Sequence, residues 1–278
     1  MASITDCVAE GLKYPFRDIK KLLGFGVLFA LLSAVSTYIG IKSFDVFRMT
    51  VHIADAANTT VSHIPFSQLP VGDIYLVAGL AVVSFIIALF IMGYEYDVLR
   101  FSIDKKEDLP GFDAISAMFV KGIKYCLVSV AYNLIPAVVL VAGIALCGES
   151  SILPIIGIIS MILFIIAYLL LVMALNNMVA HDDFKKAFDF RQITGNISNL
   201  GWGKYIGTII FTVIVMTIIS VAVGFVLSFI TVLFAATVNN QAVVISFVLA
   251  IIEGLFIDSY MAVFLNRVFG SIYRESIK

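Results

Sequence analysis

The chain has 278 residues, 61% of them hydrophobic and only 13% charged, with mean hydropathy +1.06. Soluble domains carry about 25% charged residues, so this composition excludes a soluble globular protein. The formal net charge of −1 says little, because the charges are segregated by face and not by sign; no nucleic-acid partner is expected.

Charged residues cut six apolar stretches out of the chain. The first span is predicted at 22–41, between Lys21 and Lys42, and the second at 74–94, between Asp73 and Glu95. The third, at 125–147, follows Lys124, and the fourth, at 152–175, leaves the apolar layer at Asn176-Asn177. The uncharged run that follows is too long for one helix, and Asn239-Asn240-Gln241 divides it into spans at 206–234 and 243–265. A lipid-exposed backbone must satisfy its own hydrogen bonds, and no barrel-type alternation is present, so these stretches read as helices. They take up so much of the chain that a single six-span domain, 1–278, is expected. The first 21 residues carry acids and bases throughout, and the apolar run after them is long enough to span, so they do not read as a signal peptide.

Of the 18 Lys and Arg residues, only Lys42 and Arg48 fall on the side of the loops after the first, third and fifth spans. The other sixteen lie on the opposite side, which by the positive-inside rule places both termini in the cytoplasm.

Each cytoplasmic connection carries an amphipathic stretch leading into an odd-numbered span. Val8, Leu12, Phe16, Ile19 and Leu23 recur at helical spacing before the first, and Phe112, Ile115, Phe119 and Ile123 before the third. Phe184, Ala187 and Phe188 begin a third stripe that leads to Trp202. Helices of this kind lie in the headgroup layer, apolar side down and basic side toward anionic lipid. The expected fold class is therefore all-α integral membrane, with six transmembrane helices and three cytoplasmic-face interfacial helices. The unit of lead-in, span, loop and span recurs three times. That is either a pattern-level threefold repeat or what any six-span chain shows.

The outer loop after the first span holds Phe47, Met49, Val51 and Ile53 in alternation, read as a short strand or a surface helix, and a glycosylation acceptor at Asn58. Cys7 and Cys126 fall at the cytoplasmic side and Cys147 at the outer side, with no CxxC among them, so no disulfide is expected, and no metal site or cofactor is expected.

Gly93-Tyr94, Val98-Leu99-Arg100, Asp108-Leu109-Pro110-Gly111-Phe112-Asp113 and Phe119-Val120-Lys121-Gly122-Ile123-Lys124 follow one another in order. This series resembles the signature of an archaeal multi-pass membrane family catalogued as domain of unknown function 4013. Ala187-Phe188-Asp189-Phe190-Arg191 resembles that family's second inner motif, and Gly270-Ser271-Ile272-Tyr273-Arg274-Glu275 its usual ending. The resemblance implies an archaeal plasma-membrane protein and no assigned activity. It singles out Arg100, Pro110, Phe112, Asp113, Phe188, Asp189 and Arg191 as an inner-face motif.

Inside the membrane, Glu253 falls near the middle of the sixth span and Asp258 about 7.5 Å nearer the cytoplasm. No Lys, Arg or His lies in any span to pair with them. Ser246, Glu253, Tyr260, Arg267 and Arg274 recur every seven residues as one polar face, with Asn133 at about the depth of Asp258. This set reads either as interhelical packing glue or as a ligand or transport site. Thr217, Ser220, Gly224, Ser228 and Thr231 read as a small-residue packing seam.

Three functions fit. The first is a non-enzymatic membrane protein that organises anionic lipid or a soluble cytoplasmic partner on its basic inner face. The second is a small transporter or channel that uses Glu253. The third, with least behind it, is an intramembrane lipid-modifying enzyme, for which no nucleophile can be nominated. Oligomeric state is not legible.

Overall fold

The computed structural model describes residues 4–56, 69–112, 114–147, 152–237 and 242–277, which are helical nearly throughout and contain no strand. In chain order these are α1 (Ile4–Lys13), a 3-10 turn (Tyr14–Arg17), α2 (Ile19–Ala56), α3 (Val71–Ile103), α4 (Ile115–Cys147) and α5 (Leu153–His181). A second 3-10 turn (Phe184–Phe188) then leads to α6 (Phe190–Leu200), α7 (Trp202–Thr237), α8 (Ala242–Glu253), a π segment (Gly254–Asp258) and α9 (Ser259–Ser276). The glycosylation acceptor Asn58 and the motif residue Asp113 lie outside the described residues.

Six helices are long and apolar enough to cross a membrane, and each contains one predicted span, with α8 and α9 together forming the sixth. They outrun those spans because a charge ends the apolar run without ending the helix. The 33 residues of α3 measure about 50 Å against a hydrocarbon core of about 30 Å. Continuation also corrects the reading of the first loop. Phe47, Met49, Val51 and Ile53 belong to α2 itself, neither a strand nor a separate surface helix.

The lead-ins differ from expectation in a second way. Only the first and third contain separate short helices, α1 and α6, while the lead-in to the third span is mostly the opening turns of α4. Both short helices bury apolar side chains in the protein. In α1 these are Cys7 and Val8, beside Gly11, which packs on Phe264 and Val268 of α9; in α6 they are Ile193, Ile197 and Leu200. Phe16, Ile19, Phe190 and Trp202 stay exposed.

The described residues fall into two compact units. The first comprises Met1–Leu22, Met92–Val221 and Tyr260–Lys278. Its core is rich in buried tyrosine: Tyr14, Tyr94, Tyr96, Tyr205 and Tyr273 are each almost inaccessible. Each sends its hydroxyl to an acceptor on another element, for example Tyr205 to the Leu169 carbonyl at 2.5 Å, as a buried phenol must. Gly93 lets α3 and α4 meet at the Met118 carbonyl, where a Cβ would collide with backbone.

The second unit comprises Leu23–Ile91 and Ala222–Ser259. Here α2 meets the π segment through two glycines. A Cβ on Gly26 would strike the Leu255 carbonyl, and one on Gly254 would lie 2.7 Å from the Ser33 hydroxyl oxygen. A π turn releases a carbonyl from the regular helical pattern, and the Ser259 hydroxyl donates to that of Leu255 at 2.8 Å. Lys42 and Asp73 pair at 3.6 Å between α2 and α3. Of the small-residue stripe on α7, Ser228 in this unit is exposed, as are Thr217 and Ser220 in the first unit, and none has a seam partner among the described residues.

Candidate functional site

Three lead-in segments are fastened in the first unit by the same kind of contact. Tyr94 donates to the Pro110 carbonyl at 3.0 Å and stacks on Phe112 with ring centroids 4.8 Å apart. Tyr132 donates to the Ala187 carbonyl at 2.6 Å and stacks on Phe188 at 6.1 Å. Tyr260 donates to the Leu12 carbonyl at 2.9 Å and meets Phe16 at 5.3 Å. Each time a tyrosine in a long helix holds a lead-in by one carbonyl and one phenylalanine. Tyr94 and Tyr260 come from the second and sixth spans and Tyr132 from the third.

An aspartate follows each of these phenylalanines closely. Asp18 accepts the Lys21 backbone N–H at 3.2 Å and opens α2, and Asp189 accepts that of Gln192 at 3.1 Å and opens α6. Both carboxyls are held below their ordinary value, foremost by these backbone N–H donors and secondarily by Lys21 and Lys186.

The termini join at Arg267, whose side chain is buried. Its guanidinium pairs with Glu10 at 2.5 Å, donates to the Lys106 carbonyl at 2.8 Å and lies 4.1 Å over the Tyr14 ring. Burial pushes the Tyr14 hydroxyl up to about 12 against the opposing pull of Arg267. Its phenol donates to the Asp108 carbonyl at 2.7 Å, and Lys21 to that of Leu109 at 2.7 Å. Arg274 donates to the Ser102 carbonyl at 3.0 Å and reaches Glu10 at 3.6 Å. Burial, followed by the charge of Glu275, raises the Cys7 thiol, leaving it a small apolar residue and not a nucleophile.

The predicted motif residues divide by role. Pro110, Phe112 and Phe188 hold the tyrosines, Asp189 caps α6, and Arg100 reaches Asp182 at 3.7 Å. Arg191 is exposed and makes no ion pair among the described residues. The same holds for Lys13, Lys20 and Lys185, whereas Arg17 pairs with Glu107 and Lys121 with Asp97. The partners Glu10, Tyr14, Tyr94 and Tyr132 were not anticipated as site residues. Glu95, read as the charge closing the second span, lies inside α3 two turns from its end and makes no hydrogen bond or ion pair among the described residues.

The predicted intramembrane set does not form one face. Five residues of π helix intervene between Glu253 and Tyr260, so seven-residue spacing no longer returns to the same side. Tyr260, Arg267 and Arg274 hold the N-terminal segment in the first unit. Ser246 is exposed on α8, and Asn133 donates to the Ser129 carbonyl of its own helix at 2.8 Å. Glu253 immediately precedes the π turn and Asp258 is its last residue, both in the second unit. Glu253 borders a groove of about 360 Å³ whose walls include Ala222, Val226, Leu227, Ile252 and Phe256 and whose surface is wholly apolar.

Six apolar helices of membrane-crossing length, with short elements locked among their charged ends in the first unit, define a multi-pass helical membrane protein. The family model described as protein of unknown function (DUF4013) matches residues 76–228, just over half of the chain, and the chain belongs to that family. No curated protein and no solved structure matches it.

Proposed function

We propose that this is a non-enzymatic cell-membrane protein that gathers anionic lipid at its basic face, with both termini in the cytoplasm. The observation that carries this reading is a division of labour among the bases. Arg267, Arg274, Lys21 and Lys121 are engaged within the protein, while Lys13, Lys20, Lys185 and Arg191 are exposed without an ion pair among the described residues. Exposed Phe16, Phe190 and Trp202 stand beside them in sequence, the mixture of ring and base that suits a headgroup layer. Two of the tyrosine contacts, from Tyr94 and Tyr260, come from even-numbered spans as a threefold repeat would require, whereas Tyr132 comes from an odd one. The transporter reading has less support, because the walls around Glu253 are apolar and do not suit a hydrated ion.

The test replaces Lys13, Lys20, Lys185 and Arg191 by Gln together, leaving the structural bases in place. Native mass spectrometry of protein released from mixed nanodiscs is expected to show anionic lipid enriched on the native chain and not on the variant. Equal enrichment would overturn the proposal, and loss of a co-purifying soluble protein instead of lipid would replace it with a partner-binding role. Cysteines placed at Lys20, Lys105 and Lys185 are expected to resist an impermeant maleimide in intact cells.

A further inference from the structure

We propose that a groove between α4 and α5 seats one chain of an anionic phospholipid from the surrounding bilayer, whose phosphate is met by Arg191. The inference rests on the lipid-gathering reading and deepens it, by giving it one lipid seat of defined shape.

The groove lies wholly within the first unit and has a volume of about 220 Å³. Ile135 and Pro136 of α4 and Leu163 and Ile166 of α5 wall it, and the rings of Phe188 and Phe190 line it as well. Ile135 and Ile166 are exposed, so the groove opens sideways on the apolar surface of the spans, where a bilayer offers hydrocarbon chains. Its size is below the range of about 300–1,000 Å³ for sites that enclose a whole small molecule. It suits part of one instead, a stretch of chain whose remainder lies along the helices.

The aromatic rings mark the headgroup end. Tyr132, which also lines the groove, donates to the Ala187 carbonyl and meets Phe188 at 6.1 Å and Phe190 at 6.0 Å, so the third lead-in is held at this end. Arg191 follows Phe190 directly in the chain, exposed and without an ion pair among the described residues. Lys185, also exposed, stands three residues before Phe188.

The acids of this segment are already engaged. Asp189, between the two phenylalanines, accepts the Gln192 backbone N–H at 3.1 Å and the Lys186 ammonium at 3.1 Å. Asp182 accepts the Tyr96 hydroxyl at 2.9 Å, and Asp183 the Lys185 backbone N–H at 2.9 Å. The charge that remains to be answered is the arginine, and a guanidinium matches phosphate with two parallel donors. An apolar groove beside an unpaired arginine asks for a molecule with the same succession of parts. A phospholipid of net negative charge has it, whereas a zwitterionic one carries its own cation beside the phosphate.

The experiment uses the full chain in phosphatidylcholine nanodiscs containing phosphatidylglycerol with a photoactivatable diazirine near the head of one chain. Irradiation is expected to cross-link the peptides that carry Ile135 and Ile166. The same diazirine on phosphatidylcholine is expected to label them about fivefold less, the difference that one base near a charged headgroup makes. Arg191→Gln is expected to remove that preference. Ala131→Trp, which fills the groove from an exposed position and keeps the arginine, is expected to move labelling off both peptides. Thermal unfolding establishes that each variant is folded.

Equal labelling of the native chain by the two lipids, or labelling spread evenly over the six spans, would overturn the assignment. So would a preference kept in Arg191→Gln or labelling unchanged in Ala131→Trp. Groove peptides silent toward both lipids, as when a second copy covers them, would overturn it too. Native mass spectrometry of the same samples separates the two levels of failure. Anionic lipid enriched on a native chain whose groove shows no preference removes the groove alone, and absence of enrichment removes the lipid-gathering reading with it.

Discussion

The guanidinium of Arg267 lies 4.1 Å over the ring of Tyr14, joining a residue near the end of the chain to one near its beginning. The same group pairs with Glu10 and donates to the Lys106 carbonyl, so a single buried cation ties α1, α9 and the connection after α3. Removing it leaves Glu10 and that carbonyl without their donor. Breaking a buried pair from one side costs about 3–5 kcal/mol, and Glu10 is partly exposed, so Arg267→Ala is expected to cost about 2–3 kcal/mol. Arg267→Lys is expected to restore less than half, because a compact ammonium lacks the planar fork that holds Glu10 with two nitrogens, reaches the Lys106 carbonyl with a third and lies flat over the Tyr14 ring. Thermal unfolding in detergent measures the loss, and limited proteolysis is expected to release α1 first.

That tie was invisible to local reading. Glu10 and Arg267 are 257 residues apart, and nothing in the spacing near either one names the other. The spans were legible because the bilayer sets the length of an apolar run directly, and a soluble core seldom needs an uncharged run so long. Helix ends were not, since Lys42, Glu95 and Asn176 interrupt hydropathy without breaking a hydrogen-bond ladder. At the site, Pro110, Phe112, Phe188 and Asp189 are flagged by the family resemblance, which also takes in Tyr94 without giving it a role, while Tyr132 sits in an apolar helix and looks like an ordinary span residue. The π turn left no mark beyond Gly254, and with it went the expected polar face through Glu253.

The three tyrosine contacts predict three similar losses. Tyr94→Phe, Tyr132→Phe and Tyr260→Phe each delete one hydroxyl and keep the ring, leaving a lead-in carbonyl without its donor. A net hydrogen bond contributes about 0.5–1.5 kcal/mol, so each variant is expected to fall in that range. Unfolding titrations in mixed micelles would measure them. A negligible loss at one site beside a large one at another would count against a threefold repeat of equivalent parts.

Close helix approach predicts a contrast among glycines. Gly26→Ala drives a methyl into the Leu255 carbonyl, and Gly93→Ala drives one into that of Met118; backbone cannot swing aside as a side chain does. Overpacking of this kind costs about 1–3 kcal/mol or more. Gly40, also in a helix, has nothing within 4 Å of its would-be Cβ, so Gly40→Ala is expected to be neutral or to stabilise by up to about 1 kcal/mol through helix propensity. Melting temperatures of the three variants would decide it, and a destabilised Gly40→Ala would contradict the geometry.

The capping aspartates predict a response to acid of definite sign. Asp18 and Asp189 are held below their ordinary value of 3.8 in the folded protein, first by the backbone N–H groups of Lys21 and Gln192. A carboxyl depressed on folding contributes stability that is fully present above its unfolded value and disappears as pH falls through its folded one. The starts of α2 and α6 are therefore expected to hold unchanged from neutrality down to about pH 4 and to loosen below it. Asparagine caps a helix about as well as aspartate and does not titrate in this range. Asp189→Asn is expected to keep α6 closed while flattening its acid response, whereas Asp189→Ala loses the cap at every pH. Amide hydrogen exchange at Gln192 and Ile193, followed from about pH 6 to about pH 3 with the intrinsic rate divided out, distinguishes these outcomes. An acid response in Asp189→Asn as steep as in the native chain would show that another group controls the start of α6.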